Sequence, residues 1–123
     1  MEYSVDTQEA KKIGDKGKSL RYGVIGIKYL TAGDYLFSVV ISKKQGESTE
    51  RNRVKRAIRE IMLRKQEYYP TGHYLVYYRG DCKDFDRNIV IDNLDEIMRK
   101  IMFDGLQITR QHVEYEQPAN DDE

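Results

Sequence analysis

The chemistry of this chain is concentrated in residues 42–66, SKKQGESTERNRVKRAIREIMLRKQ. From residue 43 to 65 stand nine basic side chains (Lys43, Lys44, Arg51, Arg53, Lys55, Arg56, Arg59, Arg64 and Lys65) against three acidic ones (Glu47, Glu50 and Glu60), a local charge of +6. Arg51, Arg53, Arg56 and Arg59 fall within nine residues. A guanidinium fork can grip phosphate oxygens bidentately, where lysine acts as a point charge. The 123-residue chain carries 21 basic and 21 acidic groups, so everything outside this segment sums to −6. Net neutrality conceals a strongly polarised molecule. A solvated helix laced with i,i+4 ion pairs would alternate its signs, yet Glu60 is the only acid between Arg51 and Gln66. The pattern points to a polyanion, and RNA fits it.

Other chemistries find little support. His73 and His112 have no nucleophile near them in sequence and read as strand and tail residues rather than general bases. Asp81, Asp84 and Asp86 crowd one loop but lack the glycine and terminal glutamate of a calcium loop. Cys82, the single cysteine, reads as an inert thiol that forms no internal disulfide, and a reducing cytoplasm suits it. Gly14-Asp15-Lys16-Gly17-Lys18-Ser19 looks superficially like a phosphate-binding loop. Its first glycine is two positions too close, no strand precedes it, and a strand rather than a helix follows. No catalytic side chain, metal ligand or small-molecule site is expected in the protein itself.

The elements that must position the basic groups follow from periodicity. Val54, Ala57, Ile58, Ile61 and Met62 fall on one helical face, with no Gly or Pro from Arg51 to Gln66. Asn52, Arg53, Arg56, Arg59 and Glu60 project away from that stripe, and Arg51 and Lys55 flank it. Ser48 and Thr49 are the expected N-caps, and Glu60 is expected to pair with Arg56 or Arg64.

Around this helix, residues 7–12 form a short helix capped by Asp6 or Thr7 and ended by Gly14 and Gly17. Residues 20–30 and 35–42 read as strands of an antiparallel hairpin turning at Thr31-Ala32-Gly33-Asp34, with Gly23 and Gly26 marking a bulge or a close approach. Tyr22 and Tyr29 differ in parity and belong on opposite faces unless a bulge intervenes. Pro70 and Gly72 stop the basic helix, and residues 73–79, HYLVYYR, read as a strand inside a sheet. Residues 89–103 form a second amphipathic helix, capped by Asp92 or Asn93 or begun near Asp86. A short strand is expected at residues 107–115, with the last six or so residues disordered. The organisation is one domain, 1–103, and an acidic extension, 104–123, in which six acids face one base. Hydrophobic residues make up 39% and charged ones 34%; no apolar run approaches a membrane span and no secretory leader opens the chain.

The motif Ser42-Lys43-Lys44-x-Gly46, four residues, then Arg51-Asn52-Arg53-Val54-Lys55-Arg56-x-Ile58-Arg59-Glu60 resembles the signature of the protein subunit of bacterial ribonuclease P. The likeness is gapless over about twenty residues and continues in order through residues 8–101. It implies an α+β fold, a small α/β sandwich in which one mostly antiparallel sheet of about four strands packs with two or three helices. It also implies a left-handed βαβ crossover carrying the basic helix, where general topology favours the right hand.

In that family a large RNA is the catalyst. The resemblance implies a protein that binds ribonuclease P RNA and precursor tRNA and assists removal of the 5′ leader. Mg²⁺ then belongs to the RNA-containing holoenzyme and none to the protein alone. Lys43, Lys44, Arg51, Asn52, Arg53, Lys55, Arg56 and Arg59 match the positions that contact RNA. The family cradles the single-stranded leader in an aromatic cleft, for which Tyr29, Tyr22 and Phe37 are the candidates. The chain departs from the family in its neutral total, in a first helix without aromatic residues, and in Glu47-Ser48-Thr49-Glu50 beside the motif. A divergent nucleic-acid-binding or regulatory module, using the same helix on DNA, is the alternative.

Overall fold

A computed structural model of the chain describes residues 4–114, with side chains through Asp104. In order come α1 (Thr7–Lys16), β1 (Lys18–Tyr22), β2 (Ile25–Leu30), β3 (Tyr35–Val40), α2 (Ser48–Arg64), β4 (Gly72–Tyr78) and α3 (Arg87–Glu114), with short 3-10 turns at Lys43–Gln45 and Cys82–Asp84. The four strands form one mixed sheet in the order β1-β2-β4-β3. β1 with β2 and β2 with β4 are antiparallel, and β3 with β4 is parallel.

The hairpin lies one segment earlier than the sequence predicts. It joins β1 to β2 through Gly23 and Val24, and β2 and β3 do not pair. Gly23 takes φ 61°, the positive value that a type II′ hairpin turn demands at its first central position. A Cβ there would also fall 2.3 Å from Asn93 Oδ1, the atom that accepts the Val24 N–H at 3.0 Å. Gly23 is thus the turn, whereas Gly26 is a close approach, lying under the Arg79 side chain. The two-residue turn resets parity, so Tyr22 and Tyr29 share a face rather than opposing one another. β4 carries apolar residues on both faces and takes the central place between β2 and β3.

Side chains from α2 and α3 cover one face of the sheet. Val54, Ile58, Ile61 and Met62 of α2 and Val90, Leu94, Ile97 and Met98 of α3 are buried with Ile25, Ile27, Phe37, Val39, Tyr74 and Val76. Burying Val54, Ile58 and Ile61 contributes about 1.5–3 kcal/mol each. α1 covers part of the other face through Ile13 and Ala10, packed with Leu75, Leu30 and Leu36.

Backbone hydrogen bonds give the hand of the β3–α2–β4 crossover. Arg79 N–H donates to the Val24 carbonyl at 2.7 Å and Gly72 N–H to the Asp34 carbonyl at 2.8 Å. Odd-numbered β4 residues therefore turn their backbone groups toward β2, and even-numbered ones toward β3. The even-numbered Tyr74, Val76 and Tyr78 point their side chains into the core beneath α2. For an L-residue in a strand running upward with its side chain toward the viewer, the N–H and C=O point right. Seen from α2, β3 lies right of β4, and the crossover is left-handed. The general right-handed preference gives way to the hand that the resemblance implies.

Helix ends differ from the sequence reading in detail. Asp6 caps α1, as expected, by accepting from Glu9 N–H, but Gly14 lies within the helix and only Gly17 ends it. α2 is capped by Glu47 rather than Ser48 or Thr49, because Glu50 Oε1 folds back to accept the Glu47 N–H at 3.0 Å. Asp86 caps α3, its Oδ1 accepting from Asn88 and Ile89 N–H, so Asp92 and Asn93 are not the caps. Residues 107–114 continue that helix instead of forming a strand. α3 also runs unbroken through the boundary expected at residue 103. A short apolar run such as Leu106, Ile108 and Val113 fits either period, and the helix already under way propagates at little cost. The disorder expected of the last six residues lies outside the described ones.

Candidate nucleic-acid interface

α2 turns its apolar stripe to the sheet and leaves Asn52, Arg53, Arg56, Arg59, Glu60 and Arg64 exposed, with Arg51 and Lys55 half-buried at the edges. Glu60 is held by Arg64 at 3.0 Å and by Arg87 of α3 at 3.4 Å; Arg56 does not join it. Among the described residues, Lys43, Lys44, Arg53, Lys55, Arg56 and Arg59 make no ion pair with a carboxylate. Arg53, Arg56 and Arg59 therefore share the outward side of α2, Lys55 flanks it, and none of them is neutralised by the protein's own described acids.

The loop before α2 is tied down at several points. Lys43 and Lys44 stand exposed on the 3-10 turn. Arg51 Nε donates to the Gly46 carbonyl at 3.0 Å, so this arginine braces the loop as well as carrying charge. Gly46 is pressed against Cys82, whose Cβ would lie 2.8 Å from an added Cβ. Burial pushes the Cys82 thiol up in pKa, with Glu50 and Asp81 adding to the effect, which keeps it protonated and unreactive. The side chain of Asn52 makes no hydrogen bond among the described residues and is exposed.

The leader-cleft candidates are placed otherwise than expected. Tyr29 and Phe37 are 6% and 2% exposed and belong to the core beneath α2 and α3, so neither offers a ring to a base. Tyr22 is 45% exposed on that same face, with Lys100 Nζ 5.8 Å from its ring centroid. Among the described residues, the opposite face is the one left open beside α1. There Arg79, exposed, lies over the half-buried Tyr77 ring at 5.6 Å and fills the space above Gly26. Sequence reasoning missed this pair, although alternation along β4 from the core residues 74, 76 and 78 points 77 and 79 the other way.

His73 is structural, as expected of a strand residue. Its Nδ1 stands 2.6 Å from Glu9 Oε2 of α1, and its Nε2 stands 2.6 Å from Asp34 Oδ1. Burial alone would lower its pKa, but hydrogen bonds to Glu9 and Asp34 and the charges of both outweigh it, and the net value is raised. His112 lies beyond the described side chains. Among the described residues, no group of three or more His, Cys, Asp or Glu side chains could hold a metal ion, and no helix is long and apolar enough to cross a membrane.

A left-handed βαβ crossover whose helix turns a basic ridge outward defines a small α+β protein. The chain belongs to the ribonuclease P family: the Ribonuclease P family model matches residues 5–102. It is 32% identical over 85 residues to the ribonuclease P protein component of Thermus thermophilus, covering 69% of this chain and 51% of that one. The chain thus spans about half the length of the Thermus relatives it matches. Its fold superposes on the RNase P protein from Thermotoga maritima with a TM-score of 0.68 at 27% identity, covering 76% of this chain and 91% of the other. On the Staphylococcus aureus RNase P protein the TM-score is 0.69 at 24% identity, covering 81% and 94%, a likeness of fold.

Proposed function

We propose that this chain is the protein subunit of a ribonucleoprotein endoribonuclease. In this reading it binds ribonuclease P RNA and precursor tRNA, and assists hydrolytic removal of the 5′ leader in tRNA maturation. The observation that carries this is the set of unpaired cations Lys43, Lys44, Arg53, Lys55, Arg56 and Arg59, which the family signature places on α2 and the turn before it. Catalysis belongs to the RNA, and Mg²⁺ sits with its phosphates; the protein neutralises backbone charge so that the folded RNA forms at lower Mg²⁺. The open face beside α1 takes the single-stranded leader, with Tyr77 and Arg79 offering a ring and a guanidinium plane to successive bases. The compartment is the cytoplasm, in keeping with one buried thiol and no disulfide.

Leader removal by a bacterial ribonuclease P RNA at limiting Mg²⁺, with and without the protein, tests this directly. Stimulation that is lost in Arg53→Ala and Arg56→Ala supports it. No stimulation, together with equal affinity for random duplex DNA, would favour a general nucleic-acid-binding module instead.

A further inference from the structure

We infer that Gln45, which stands between the lysine pair and Gly46 in the Ser42-Lys43-Lys44-x-Gly46 motif, is the positioning residue that holds the lysine pair in register for RNA. The inference rests on the RNA-binding reading of the ridge.

The side-chain amide of Gln45 uses all three directions it needs. Nε2 donates to the Tyr78 carbonyl at 2.6 Å and to the Gly80 carbonyl at 2.7 Å, and Oε1 accepts the Ser42 N–H at 3.0 Å. Its own backbone N–H closes the turn on the Ser42 carbonyl at 3.1 Å. Two carbonyls facing one end of the amide and an N–H facing the other leave a single orientation for the group.

The chemistry is specific to glutamine. A glutamate would set a carboxylate against two carbonyl oxygens. A lysine could not accept from Ser42, a methionine could do neither, and an asparagine is one methylene short. These bonds also bridge the crossover, because Ser42 and Gln45 precede α2 while Tyr78 and Gly80 end β4, the strand that follows it. The consequence falls on Lys43 and Lys44, which occupy the exposed side of the turn that Gln45 closes. A held turn presents both ammonium groups at a fixed spacing, whereas a loose one must be ordered when the ligand arrives.

The test compares wild type, Gln45→Met, Lys43→Ala/Lys44→Ala and the triple variant for affinity to ribonuclease P RNA across a salt series. Gln45→Met is expected to bind roughly three- to tenfold more weakly, which is the loss of one or two ordering contacts. Its salt slope should flatten toward that of the double-lysine variant, and adding it to that variant should change nothing further. An unchanged slope, or a loss that simply adds to the lysine variant, would overturn the inference and leave Gln45 a stabilising residue only. Hydrogen exchange at the Ser42 amide of wild type provides a second measurement should Gln45→Met fail to fold. Protection is expected, and exchange at the rate of an open loop would overturn the inference. A wild-type protein whose affinity ignores salt would remove the RNA reading and this inference with it; a normal wild-type slope with an unaffected Gln45→Met removes this inference alone.

Discussion

Arg79 lies across the ring of Tyr77, its guanidinium carbon 5.6 Å from the ring centroid, on the face of the sheet that α2 and α3 leave open. Gly26 makes the arrangement possible, because an added Cβ would come 2.9 Å from Arg79 Nε. Alanine in place of a stacking aromatic costs about 1–3 kcal/mol per base. Tyr77→Ala should therefore weaken single-stranded RNA binding by roughly ten- to a hundredfold while the fold, read by circular dichroism, persists. Gly26→Ala should produce a smaller loss by lifting Arg79. Unchanged affinity in both variants would move the single-strand path elsewhere.

His73 joins α1 to the sheet through Glu9 and to the loop before β3 through Asp34, and it can donate to both carboxylates only as an imidazolium. Its folded-state pKa is raised. The stabilisation is therefore complete below its unfolded value of about 6.5 and is lost as pH climbs through the folded one. Urea midpoints should fall from about pH 6 to pH 9 more steeply in wild type than in His73→Gln. Parallel pH profiles would show that the clamp contributes nothing.

Asn93 is 7% exposed and accepts the Val24 N–H through Oδ1. Asn93→Leu removes the acceptor and strands that donor, with an expected cost of about 1–3 kcal/mol in urea unfolding. Gly23→Ala should cost at least about as much, since φ 61° disfavours an L side chain and the new methyl would collide with Asn93. A neutral outcome for both would mean that the hairpin shifts freely.

Ile58 and Arg59 are neighbours with opposite duties. Ile58 is fully buried, so Ile58→Ala should destabilise by about 2–5 kcal/mol. Arg59 is exposed and unpaired, so Arg59→Ala should stay within about 0.5 kcal/mol in stability while RNA affinity drops. Thermal melts and filter binding on the two variants separate these effects. Coupled losses in Arg59→Ala would place that side chain in the fold.

Much of the scaffold was legible because its periods are strong. The apolar stripe of α2, the doubly apolar β4 and the amphipathic start of α3 carry their own burial patterns. The strand order was not legible, since β2 and β3 are each apolar enough to pair with the other, and only the insertion of β4 separates them. Aromatic residues misled for a related reason. A ring that could stack on a base can equally pack in the core. Tyr29 lies 6.1 Å from the Tyr74 ring, and both it and Phe37 are core. The ridge was readable from charge and spacing, whereas the bonds of Gln45 were not, because they join segments more than thirty residues apart.

Affinity for ribonuclease P RNA measured against salt tests the central claim most directly. With about five phosphates engaged, log K should fall against log salt with a slope near −4, shallower by about one in each of Arg53→Ala and Arg56→Ala. A slope near zero, or one that neither substitution alters, would show that the arginine ridge does not meet a polyanion.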